Sequence, residues 1–220
     1  MISIKDPSFL RYNRKLRGNL YIVSAPSGSG KTTLLQQLIR NFEDLTFSIS
    51  HTTRLPRGSE KHGVEYFFVD RGEFFGMAEK DEFLEHAEYH GNLYGTSRKF
   101  VEVNLEMGKN VILDIDVQGA RQVKARNEDA VSLFLLPPSF AELERRLRTR
   151  RLEDDDTISK RLVIAKSEIL RCRDYDYIVV NDKIEESVRQ LEAIVRSGTA
   201  EVQQEESRID DIIASFGGID

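Results

Sequence analysis

The sequence predicts an α/β fold, a mainly parallel sheet flanked by helices, and three observations carry that prediction. Short apolar runs at Leu20–Val23, Val111–Ile115, Val131–Leu136 and Tyr177–Val180 alternate with segments of helical apolar spacing. A glycine-rich turn, Ala25-Pro26-Ser27-Gly28-Ser29-Gly30, joins the first run to the first helical segment. Between Ser50 and Tyr94 the alternation gives way to short strand-like pieces, so a small β-rich insertion interrupts the repeating pattern.

The elements follow in chain order. Met1–Gly18 is a basic arm with no apolar core and is expected to be flexible. Leu20–Val23 is a strand, and Leu34, Leu35, Leu38 and Ile39 then share one helical face. Thr46–Ser50 is a second strand, His51–Glu60 a polar loop, and Tyr66–Val69 a third strand. Glu73–Lys80 is a short helix, and Glu82–Tyr94 a strand or hairpin. Ser97–Met107 is a helix stopped by Gly108. The run Val111–Ile115, interrupted only by Asp114, suits a strand buried on both faces. Val117–Arg126 is a helix, and Val131–Leu136 a strand closed by Pro137-Pro138. Ser139 caps a helix from Phe140 to about Arg150, and Arg151–Asp156 is a charged break. Thr157 is expected to cap a helix from Ile158 to about Arg171. Tyr177–Val180 is the last strand and Ile184–Arg196 the last long helix. In the acidic tail, residues 198–220, Ile209, Ile212, Ile213 and Phe216 have helix-like spacing. A docked helix, a partner contact and a frayed end all remain open there.

The first turn carries chemistry. Gly28 and Gly30 can adopt backbone angles closed to other residues, so successive N–H groups can point at one anion. The helix that follows adds its own unpaired N–H groups and positive dipole end. Lys31 then supplies an ammonium for the β- and γ-phosphates, and the Thr32 hydroxyl a ligand for Mg²⁺. The usual pattern begins with glycine where Ala25 stands, which requires Ala25 to keep a negative φ. The alternative is an ordinary strand–turn–helix connection.

Composition narrows the possible functions. The 220 residues carry a net charge of −5, which disfavours broad nucleic-acid binding but not a small phosphorylated ligand. No apolar stretch approaches the ~20 residues of a membrane span. The N-terminal arm lacks the apolar segment of a secretory leader, so a cytoplasmic location is expected. The lone Cys172 excludes an internal disulfide, and His51, His62, His86 and His90 show no metal-ligand spacing.

Five stretches in order resemble the guanylate kinases. They are Ala25–Thr32, Ser50–Arg57 with Glu60, Gly91–Thr96, Ile112–Gly119 and Val179–Asp182, and the likeness runs from about Asn19 to Ser197. It implies a P-loop core, a GMP-binding insertion at about 50–97 and a mobile lid over ATP at about 145–161. The implied reaction is phosphoryl transfer from Mg-ATP to GMP, with dGMP as a second acceptor, in purine nucleotide metabolism.

The resemblance also assigns residues. Ala25, Pro26, Ser27, Gly28, Ser29, Gly30, Lys31, Thr32 and Thr33 would hold ATP, with Asn181 facing adenine. Arg54 and Arg57, with the hydroxyls of Tyr66 and Tyr94, would hold the acceptor phosphate, and Glu60 belongs to the same GMP-binding group. A planar guanidinium suits that task because it pairs two phosphate oxygens at once. Glu85 would accept both guanine donors, N1–H and N2–H₂, with Ser50 and Thr96 on the base edge. Asp114 would point to the same pocket. Asp116 shares a strand face with it, and the pair is left open between guanine contact, metal-bound water and, for Asp116, a helix cap. Arg146, Arg150 and Arg161 match the phosphate-facing lid arginines, while Arg145, Arg148 and Arg151 read as solvated neighbours. Arg151 stands where the family usually has glycine.

Two other readings stand beside this one. Related domains in scaffold proteins bind partners without catalysis, but they typically lose phosphate-loop residues, and Lys31, Thr32, Arg54 and Arg146 are all present here. A kinase with a non-nucleotide acceptor is disfavoured by Glu85, Ser50 and Tyr94. Oligomeric state is not readable from the sequence.

Overall fold

A computed structural model of the chain describes residues 17–89, 91–149, 154–197, 212 and 214–216. The strands are β1 Leu20–Ser24, β2 Leu45–Phe47, β3 His51–Thr52, β4 Phe67–Phe68, β5 Phe83–Tyr89, β6 Asn92–Ser97, β7 Asn110–Asp114, β8 Val131–Leu136 and β9 Tyr177–Val180. The helices are α1 Lys31–Arg40, α2 Arg71–Glu79, α3 Arg98–Glu106, α4 Val117–Arg126, α5 Phe140–Thr149, α6 Asp155–Ile169 and α7 Ile184–Ser197. One sheet has the order β2-β7-β1-β8-β9, and a second has the order β4-β3-β6-β5. The β2–β7 and β8–β9 pairs are parallel, as the alternating pattern predicts. The second sheet is mixed, with β3–β6 and β5–β6 antiparallel.

The described residues form two compact units: those up to Ile22 with Asp44–Ala130, and Val23–Glu43 with those from Val131 onward. In the first unit, Phe74 of α2, Phe83 of β5 and Leu93 of β6 form a buried cluster that anchors the β-rich sheet. The side chain of Ser97 accepts from Phe100 N and starts α3, while Gly108 follows that helix at φ 77°. In the second unit, β8 contributes Leu133, Phe134, Leu135 and Leu136 to the core at 0–1% exposure. Helix α1 buries Leu34, Leu35 and Leu38 and packs on α7, whose Leu191 and Ile194 are also buried.

Three boundaries differ from the sequence reading. The second strand ends at Phe47, and the loop expected from His51 begins instead as strand β3. Pairing drives that change, because β6 opposes His51 with Gly95 and Thr52 with Tyr94. Asp154, not Thr157, caps α6: its carboxylate accepts from Thr157 N at 2.7 Å. The helix therefore starts at Asp155, and Asp155 and Asp156 place two further acids at its positive end. In the tail, Ile212 and Phe216 are buried. Phe216 meets Phe140 edge-on at 5.2 Å, and Ser215 Oγ accepts from Phe140 N at 3.3 Å. Those residues are docked on their own unit. The arm to residue 16, His90, Arg150, Arg151 and the rest of the tail lie outside the described residues.

Candidate functional site

The phosphate loop has the backbone its sequence demands. Gly28 and Gly30 lie at φ 94° and 89°, whereas Ala25 is not among the positive-φ residues, which is why an alanine fits there. Gly30 occupies the cap position of α1 without any side-chain cap, as suits a helix start that receives an anion. Lys31, Thr32 and Thr33 open that helix, and both threonines are exposed.

Three side chains brace the loop from behind. Asn181 Nδ2 donates to the Ser29 carbonyl at 2.6 Å, and Arg146 Nη1 donates to the same oxygen at 3.3 Å. Arg146 Nη2 also reaches the Asn181 carbonyl at 3.0 Å. Arg161 of α6 donates to Ser27 Oγ. Arg146 and Arg161 thus lie at the loop, while Arg150 falls outside the described residues. Asn181 has a structural part that the sequence did not show. Its side chain is 3% exposed and turned into the loop, with its amide oxygen toward Ser187 Oγ at 3.4 Å, so it braces the loop.

Glu142 sets the aim of Arg146. Its carboxylate takes Arg145 Nε at 2.6 Å and Arg146 Nε at 2.7 Å. Hydrogen bonds from Arg145 and then Arg146 hold it down to about 2. Arg145 and Arg148 are the solvated neighbours expected of them, each paired with a glutamate on its own helix.

The first unit holds the second group of predicted residues. Arg54 is 8% exposed, and its fork pairs both oxygens of Glu60 at 2.9 and 3.0 Å. Its guanidinium lies over the Tyr66 ring, 5.2 Å from the centroid, and the Tyr94 hydroxyl is a further partner. Glu60 also accepts from Arg57 N at 2.8 Å, so one carboxylate shapes the whole turn. The hydrogen bond from Arg54 holds that carboxylate below its usual range. The Arg57 side chain is exposed. Burial, with the nearby negative charge of Asp114, pushes Tyr66 up to about 12, which keeps its phenol a neutral donor.

Glu85 is buried at 3% exposure, and Thr96 Oγ1 donates to its Oε1 at 2.6 Å. An exposed strand carboxylate is therefore ruled out. Burial raises its pKa to about 7, with the Thr96 bond opposing and the charge of Asp116 adding to the rise. Asp116 caps α4, accepting from Gln118 N at 3.0 Å and Gly119 N at 2.9 Å. Asp114 ends β7 and acts on Tyr66, while Asp116 acts on Glu85. The two carboxylates thus act on different residues. Ser50 is half-buried, and its carbonyl accepts from Phe67 N at 2.9 Å.

Several supporting residues carried no sequence signal of their own: Ser187, Gln122 and Arg126 look like ordinary surface residues until their partners are known. His51, given no role from sequence, stacks on Phe67 at 4.8 Å, and burial lowers its pKa. Among the described residues no cluster of three or more His, Cys, Asp or Glu side chains is placed to hold a metal. The Thr32 hydroxyl beside an uncapped helix start still fits a magnesium ion that arrives with a nucleotide, because hard cations take oxygen ligands and keep much of their water.

Comparison with known proteins gives matches across most of the chain. A sequence model of the guanylate kinase family matches residues 17–198. The guanylate kinase of Geobacter sulfurreducens is 51% identical over 181 residues, which is 82% of this chain and 89% of that protein. The guanylate kinase of Escherichia coli K12 is 46% identical over 202 residues, 91% of this chain and 98% of that one. A crystal structure of guanylate kinase from Anaplasma phagocytophilum superimposes with a TM-score of 0.70 at 36% identity, covering 88% of this chain and 90% of the other.

Proposed function

The chain belongs to the guanylate kinase family, and from that premise we infer its reaction: transfer of the terminal phosphoryl group of ATP to GMP, giving ADP and GDP. The observation that carries the choice of acceptor is Glu85, a buried carboxylate held by Thr96 of β6, the strand that also carries Tyr94. An ionised Glu85 accepts N1–H and N2–H₂ of guanine together. Adenine offers a lone pair at N1, and a buried carboxylate facing it would go unpaired.

The roles we propose carry over from the resemblance, and the geometry within each unit is compatible with them. The N–H groups of Gly28–Thr33 wrap the donor phosphates, and Lys31 adds charge at the β- and γ-oxygens. The Thr32 hydroxyl is the protein ligand for Mg²⁺. When bound, that ion neutralises charge on the donor phosphates. Arg146 and Arg161, already placed at Ser29 and Ser27, steady the charge that spreads over the transferred group. Arg54 and Arg57, with Tyr66 and Tyr94, orient the acceptor phosphate. That phosphate is already an oxyanion near neutral pH, so the reaction needs no general base, only orientation and exclusion of water. The roles expected of Ser50, Asp114 and Asp116 on the guanine side are retained in this reading, with dGMP as a second acceptor.

We assign 19–197 to the kinase domain, with about 50–97 as the acceptor insertion and about 145–161 as the lid. No helix among the described residues is long and apolar enough to cross a membrane, which accords with the cytoplasmic location we propose.

The test is ADP formation from Mg-ATP with each of GMP, AMP, CMP and UMP. Turnover with GMP alone supports the reaction and the carboxylate logic together. A folded protein that turns over none of them would overturn the reading.

A further inference from the structure

Helix α4 presents one face to strand β5, and that face is built around a missing side chain. Gly119, Gln122 and Arg126 lie three and then four residues apart, so they share a stripe of the helix. Arg126 Nη1 donates to the carbonyls of Phe83 at 3.3 Å and Leu84 at 3.0 Å. Gln122 bonds His86 on both sides, accepting from its N–H at 3.3 Å and donating to its carbonyl at 2.8 Å. The residues so held form a β-bulge: Phe83 opposes Ser97, yet Glu85 opposes Thr96, leaving Leu84 as the extra residue. The bulge breaks the in–out alternation, so Phe83, Leu84 and Glu85 are all buried, and the carboxylate turns inward.

Gly119 receives that carboxylate. A methyl group on its Cα would lie 2.5 Å from Glu85 Oε2 and 3.1 Å from Glu85 Cδ, while its other near neighbour, Ile115 Cβ, would be 3.4 Å away. Gly119 does not sit at positive φ, so its backbone would accept alanine, and alanine is the better helix former. Nothing in the conformation of the helix calls for glycine there; the space taken by the Glu85 carboxylate does.

We propose that Gly119 determines base specificity by seating Glu85. Its lack of a side chain lets the carboxylate lie against α4 with Oε1 on Thr96. Any larger residue moves the carboxylate, because the tip of a flexible side chain yields before backbone does. Gly119 touches no substrate atom and is a positioning residue. The inference rests on the reading of Glu85 as the guanine acceptor.

The test is Gly119→Ala in the full chain, alone and in a Glu85→Ala background, assayed with GMP and with inosine monophosphate, which keeps N1–H but lacks the 2-amino group. For Gly119→Ala alone, KM for GMP should rise roughly tenfold and the preference for GMP over inosine monophosphate should shrink by a similar factor, as expected when one of two buried hydrogen bonds is lost. KM for ATP and the melting temperature should hold. In the Glu85→Ala background the same substitution should change KM for GMP little, because the group it displaces is gone. Unaltered KM and preference in Gly119→Ala, or an equal loss in both backgrounds, would overturn the inference alone. A wild-type protein indifferent to Glu85→Ala would overturn the assignment of Glu85, and this inference with it.

Discussion

The side-chain amide of Asn181 donates to the carbonyl of Ser29 at 2.6 Å, tying the end of β9 to the turn that opens α1. The contact leaves no room beside Gly30, whose added Cβ would lie 2.5 Å from Asn181 Nδ2. The phosphate loop is therefore held in shape by protein contacts of its own, with Asn181 and Arg146 meeting on one carbonyl.

Removing that brace should loosen donor binding without touching the acceptor. Asn181→Ala leaves the Ser29 carbonyl with only its longer bond to Arg146, a loss of about 1 kcal/mol, or roughly fivefold in affinity. Asn181→Asp should do worse, because a carboxylate would then face the Ser29 carbonyl oxygen. Titration calorimetry with a non-hydrolysable ATP analogue checks the order wild type, Ala, Asp. The affinity for GMP should be unchanged in all three.

The raised pKa of Glu85 makes two pH dependences testable. Its folded value is about 7 against an ordinary 4.5, so between those values the folded chain keeps a proton that the unfolded chain has lost. Stability therefore falls as pH rises through that window, by up to about 3 kcal/mol in all. Glu85→Gln should flatten this slope and be the more stable protein at pH 8, as read from urea midpoints.

Guanine binding should run the other way. Only the ionised carboxylate accepts two donors, so kcat/KM for GMP should climb about tenfold per pH unit below pH 7 and level off above it. The second ionisation of a phosphate monoester lies near 6 and gives an earlier, separate rise. Glu85→Ala should keep the earlier rise and lose the later one. A profile identical in both proteins would mean that Glu85 does not titrate in the free enzyme.

Much of this was legible in the residues, and the parts that were not share a cause. Strands β8 and β9 and helix α4 lie where the apolar pattern put them, because buried parallel strands read as unbroken apolar runs. The positive φ of Gly28 and Gly30 follows from the motif itself. Alternation along β5 could not have shown that Glu85 is buried, since the bulge at Leu84 cancels the period, and only the resemblance picked it out. The brace that Asn181 makes was hidden for a related reason. Its position in the motif was clear, but whether an amide faces ligand or its own loop depends on a neighbour 152 residues away in sequence. Asp154 and Thr157 are both competent caps, and local chemistry alone does not rank them.

Arg54 offers the sharpest test of the acceptor side. Its fork meets both Glu60 oxygens, one nitrogen also reaches the Leu55 carbonyl at 2.8 Å, and its flat face rests over Tyr66. A lysine keeps the charge but loses the planar fork, so it cannot satisfy the same partners. Arg54→Lys should weaken GMP by about 2 kcal/mol, or roughly thirtyfold, and leave ATP affinity alone. Stability should drop by a smaller amount, about 1 kcal/mol, since Glu60 still holds Arg57 N. Direct titration of GMP, with thermal melting alongside, separates the two effects. If the melting temperature fell while GMP affinity stayed within twofold, the fork would exist to hold Glu60 and shape the turn. The acceptor phosphate would then have to be bound by Arg57, Tyr66 and Tyr94.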